Sequence, residues 1–131
     1  MLKIVDIHLS TSPLSEYVVL QNHGLQTVSL RGWAVVTDRW FWAEPEMAAP
    51  EMYVFRGDAP IKPYTRVVLF TGEGDEGWCP TIDGKQAYLV YQGRRESVWH
   101  DSESLHLVHV ASSMRVTERH TAAATTRSQR K

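Results

Sequence analysis

The chain has one cysteine, Cys79, among 131 residues. A single thiol closes no intrachain disulfide and supplies far too few ligands for a structural zinc site, so stability has to come from core packing. A lone thiol also fits a reducing compartment. No apolar run approaches the roughly 20 residues that span a bilayer, which argues against a transmembrane helix. The start lacks the basic opening, apolar stretch and small-residue cleavage site of a secretory signal, so a cytoplasmic chain is expected. Charge of one sign is nearly absent in sum: the formal net charge is −1. A chain built mainly to neutralise phosphate would carry far more positive charge. There is no heptad rod, no internal repeat, no HExxH, no GxSxG and no Walker-type loop.

What is present is period-two alternation. Apolar residues make up 43% and charged residues 22% of the chain, the proportions of a soluble domain with one core. The alternation predicts strands over Leu2–Leu9, Glu16–Gln21, Thr27–Val36, Met52–Phe55, Thr65–Phe70, Gln86–Tyr91, Ser97–Trp99 and Leu105–Val110. No amphipathic helix stands out. Tyr17, Val18, Val19 and Leu20 are consecutive apolar residues, so both faces of the second strand should be at least partly covered. Gly24 offers a positive φ for the turn after it, and Gly32 suggests a bulge in the third strand. Asp38–Glu51 and Thr71–Lys85 read as long connections, and Arg56–Pro63 as a turn that cannot continue a ladder. Short strands at this spacing predict a β-sandwich, with Val18, Leu20, Trp33 and Leu69 hidden between its layers. From Arg115 onward the chain carries Arg115, Arg119, Arg127, Arg130 and Lys131 against Glu118 alone, without an apolar pattern. The expected organisation is one domain over 1–114 and a basic, disordered tail over 115–131.

Several separated pieces occur in a characteristic order. They are Glu16-Tyr17-Val18-Val19-Leu20-Gln21-Asn22, then Val28 and Leu30 before Gly32-Trp33, then Tyr53 and Phe55, and Ile61 and Pro63. Val67-Val68-Leu69-Phe70-Thr71-Gly72-Glu73-Gly74 and Val98-Trp99-His100-Asp101 follow. Over about Leu2 to Val110 this pattern resembles the lamin-tail domain. The resemblance implies an all-β, immunoglobulin-like antiparallel sandwich that acts as a non-catalytic module for protein and nucleic-acid contacts. Without a rod, it implies a free-standing bacterial relative, and both long connections are enlarged relative to the family.

Candidate chemistry is sparse. His106 and His109 are three apart on a predicted strand and so point to opposite faces. Trp99-His100-Asp101 sets an imidazole beside a carboxylate and reads as a polar turn rather than acid/base machinery. Glu73, Asp75, Glu76 and Asp83 share a Gly-rich stretch without EF-hand spacing and read as a solvated acidic loop. No catalytic residue, metal, cofactor or small-molecule substrate is expected. The aromatic residues of the long connections are more telling. The three loops after odd-numbered strands should emerge at one pole, gathering Trp40, Phe41, Trp42 and Trp78 as a surface for a protein partner or a second copy. The alternative is a nucleic-acid-binding or envelope-associated accessory domain using Arg94, Arg95, Arg127, Arg130 and Lys131.

Overall fold

A computed structural model of the chain describes residues 1–100, 102 and 104–109. The tail boundary expected at 114/115, and with it Arg127, Arg130 and Lys131, lies outside the described residues. The fold is all-β. Its strands are β1 Leu2–His8, β2 Tyr17–Asn22, β3 Val28–Ser29, β4 Trp33–Thr37, β5 Met52–Val54, β6 Pro60–Ile61, β7 Arg66–Phe70, β8 Gly77–Pro80, β9 Gln86–Tyr91 and β10 Leu105–His109. One sheet has the order β1-β2-β7-β9-β8, a second β10-β4-β5, and β3 pairs with β6.

The two larger sheets share one core. From the first come Leu2, Val18, Leu20, Val67, Leu69 and Val90; from the second come Val35, Leu105 and Leu107. These are alternate residues on each strand, as the pleat requires. The expectation of wholly antiparallel sheets is corrected at one place: β7 and β9 run parallel, with Val67 opposite Tyr88 and Leu69 opposite Val90. A parallel pair needs a crossover. Here the chain supplies it by laying down β8 antiparallel to β9 before returning, so Thr71–Lys85 is not one loop but a turn, a strand and a hairpin.

Other expectations change for equally local reasons. The third predicted strand breaks into β3 and β4 because Gly32 adopts φ 88°, and Trp33 N–H turns back to the Leu30 carbonyl at 3.2 Å. Within Arg56–Pro63, Pro60–Ile61 does pair, as the short ladder with Val28–Ser29. Gly24 is needed for space rather than for a positive φ, since a Cβ there would overlap the Met1 amino nitrogen. Ser97–Trp99 is not a strand. The N–H groups of Val98 and Trp99 donate instead to Glu16 Oε1, at 2.8 and 3.1 Å, and the Thr71 hydroxyl donates to the same oxygen at 2.7 Å. This fully buried carboxyl holds Trp99 in the core at 0% exposure. Trp33, expected to be hidden, is only partly buried and packs at the core margin against His109, 4.9 Å between ring centroids.

The β10-β4-β5 sheet is buried on its outer face as well. Ala34, Val36 and Val108 form a second cluster there, with Trp40, Met52 and Val54 packed against it.

Candidate functional site

The connection between β4 and β5 carries the aromatic run Trp40-Phe41-Trp42. It is a 3-10 turn over Asp38–Phe41, a single α-helical turn over Pro45–Ala48, and a second 3-10 turn over Ala49–Glu51. Pro45 opens the helical turn at a position where its missing N–H costs nothing. The two ends of the connection are stapled together: the Thr37 hydroxyl donates to Glu51 Oε1 at 2.8 Å, and Arg39 Nε lies 3.3 Å from Glu51 Oε2. At its start, Asp38 Oδ1 meets His106 Nε2 at 2.5 Å and accepts the Ser104 hydroxyl at 2.9 Å, tying the turn to β10.

These ties sort the aromatic run residue by residue. Trp40 covers the outer cluster of the three-stranded sheet. Phe41 sets its edge to the His106 ring at 4.9 Å and is 36% exposed. Trp42 is 71% exposed, with the Arg39 guanidinium 5.8 Å from its ring centroid. Since Arg39 also reaches Glu51, a cation held by a carboxylate steadies the exposed indole. Trp78 does not join this group. It lies in β8, 43% exposed, with its nearest ring partner Tyr88 at 5.0 Å. Trp78 lines a separate open cleft of about 1030 Å³ together with Tyr64, Arg66, Ile82 and Lys85.

The loop ends themselves do gather. Gly72 N–H donates to the Pro13 carbonyl, Gly93 N–H to the Gly72 carbonyl and Arg94 N–H to the Thr71 carbonyl. Trp78 is absent from that end because the chain re-enters the sheet at Gly77 and runs back along β9. Arg94 and Arg95 are present there. They line a shallow cleft of about 490 Å³ with Pro50, Glu51, Glu96, Ser97 and Val98. The aromatic connection and the arginine turn, unrelated in sequence, thus share one cleft through Pro50 and Glu51. Two carboxylates accompany the two arginines, so the cleft is mixed in charge rather than basic.

The remaining chemistry is dispersed. Ser104 and Asp38 both approach His106 through Nε2, the former at 3.4 Å. A relay needs its two partners on different ring nitrogens, and these two share one. His106 is buried and His109 exposed, on opposite faces of β10. His100 Nδ1 lies 2.6 Å from Ser97 Oγ, and Asp101 falls outside the described residues. The acidic stretch is divided: Glu76 accepts the Tyr88 hydroxyl, whereas Asp83 accepts the Thr81 hydroxyl and the Lys85 N–H. Those two bonds hold the Asp83 carboxyl below its usual range, and partial burial with the Glu76 contact pushes the Tyr88 phenol up to about 12. Among the described residues no group of three or more His, Cys, Asp or Glu side chains is placed to hold a metal ion. No described helix is long and apolar enough to cross a membrane.

Arg39 and Glu51 are the site residues that sequence reasoning misses. Both are ordinary surface residues until the connection folds back on itself. No family model matches the chain, and no curated protein matches its sequence.

Proposed function

We propose that the chain is a non-enzymatic, immunoglobulin-like interaction module of lamin-tail type, and that it presents Trp42 and the adjoining Arg94–Arg95 cleft to a protein partner. The observation that carries this reading is the division of labour within one aromatic run. Trp40 serves the fold, whereas Trp42 is held out in solvent by a fixed cation. Exposed Trp beside Arg is the composition enriched at interface hot spots. The balanced charge of the cleft favours a protein surface over nucleic acid as the occupant, because a phosphate backbone would be repelled by Glu51 and Glu96.

The test is a photo-crosslinking amino acid at position 42 of the full chain, expressed in its native cell. A discrete protein adduct that disappears when Arg94 and Arg95 are both replaced by Glu supports the reading. An adduct insensitive to those replacements, or none at all, overturns it.

A further inference from the structure

The outer face of the β1-β2-β7-β9-β8 sheet is a feature that the proposed site leaves unused. Val18, Leu20, Val67, Leu69 and Val90 point inward, so alternation turns Tyr17, Val19, Val68, Phe70, Leu89 and Tyr91 outward. All six are only partly buried. A sheet with one wet face carries polar residues on that face; this one carries mostly aromatic and aliphatic side chains in its middle, where the exposed Asp6, opposite Val19, is the charged residue among them. The other sheet shows the contrast, because Trp40 packs onto the cluster on its outer face. The turn at Gly74 lies against the Tyr91 ring at one end of this face.

The geometry selects among occupants. His8, Tyr17, Phe70 and Tyr91 form a row across four strands, with centroid spacings of 5.1, 5.8 and 4.8 Å. Two of the three pairs are stacked within about 11° of parallel. Rings stacked on one another offer their edges to solvent, not their faces, so the row is a ridge rather than a platform for sugars or bases. A ridge of this kind suits interdigitation with a second sheet.

Charge selects further. At one end of the face Lys3, Gln21 and Arg66 are cross-strand neighbours, and both cations are exposed. At the other end Glu73 and Asp75 flank Gly74 above Tyr91, also exposed. Four residues of β7 separate these ends, about 13 Å. A twofold axis lying in the interface and running across the strands brings the basic end of one copy onto the acidic end of the other. Self-complementarity of that kind is what an isologous interface requires. We infer that the outer face of the five-stranded sheet docks a second copy of this chain, strands antiparallel across the twofold.

Sedimentation velocity on the full chain tests this over a concentration series. Wild type should shift from monomer to dimer as concentration rises. Val68→Glu should abolish the shift with an unchanged thermal midpoint. Arg66→Glu, at an exposed position, should weaken dimerisation about tenfold with an unchanged thermal midpoint. Adding Glu73→Lys and Asp75→Lys to Arg66→Glu should restore it to within about threefold. A chain still monomeric at about 1 mM overturns the inference. So does a dimer that withstands Val68→Glu, or one lost on Trp42→Ser, which would place the contact on the aromatic connection instead.

Discussion

Glu16 Oε1 accepts the backbone N–H of Trp99 at 3.1 Å across 83 positions of sequence. The same oxygen takes Val98 N–H and the Thr71 hydroxyl, so one buried carboxyl joins the start of β2, the end of β7 and the segment leading to β10. Three donors, two buried and one partly buried, depend on it. Replacing Glu16 by Ala should therefore cost roughly 3 kcal/mol or more, because each buried donor left unsatisfied carries its own desolvation penalty. Glu16→Gln keeps the accepting oxygen and should cost clearly less. Urea denaturation of the two variants checks the order; equal losses would mean that the contact is incidental.

The aromatic connection makes a sharper comparison. Trp40→Ala removes a large side chain from the outer cluster and should cost about 2–3 kcal/mol. Trp42→Ser removes a side chain that is 71% exposed and lies beside the Arg39 guanidinium, and should stay within about 0.5 kcal/mol of wild type. Thermal denaturation of both separates a core tryptophan from a recognition tryptophan; similar losses would remove the basis for assigning Trp42 to a partner.

Alkaline pH should loosen the fold in a defined window. Folded Tyr88 keeps its proton to about 12, against the usual 10, and burial raises Tyr53 as well. Between those values the unfolded chain binds fewer protons than the folded one, so stability falls as pH rises through the window and is intact below it. Denaturation midpoints across that range should decline, and Tyr88→Phe should flatten the decline.

Asn22 is buried and fully bonded. Its amide donates to the Gln26 and Ile61 carbonyls, each at 2.8 Å, and its oxygen accepts Gly24 N–H and the Met1 amino group, each at 2.9 Å. Asn22→Ala should cost about 2–3 kcal/mol. Asn22→Asp reverses the donor side toward two carbonyls and should be no milder. Chemical denaturation of the two variants settles the ranking.

Strand existence was legible because it rests on local alternation. β1, β2, β4, β5, β7, β9 and β10 all lie where period two places them, and the unbroken apolarity of Tyr17–Leu20 matches a strand at least partly covered on both faces, with Val18 and Leu20 buried and Tyr17 and Val19 partly buried. The break at Ser97–Trp99 was not legible. Its alternation is strand-like, and only the distant Glu16 carboxyl diverts its N–H groups from a ladder. Trp78 misled for a related reason. A Gly-rich acidic stretch reads as loop, but β9 offers Gly77–Pro80 an open edge, and pairing with it outweighs weak local propensity. The shared cleft of Glu51 with Arg94 and Arg95 was likewise invisible, since no pattern in either segment refers to the other.

By itself the sequence determined that this chain builds layered sheets: alternation, turn residues and the absence of disulfides or metal clusters act within a few residues and leave no other way to bury its apolar half. Tertiary structure alone decided which tryptophan is core and which is surface, that β7 and β9 run parallel, and that Trp40 packs onto the outer face of one sheet while the other stays open. Those outcomes depend on contacts between residues far apart in the chain, where the loss of entropy on closing the loop is recovered only when the whole core forms at once.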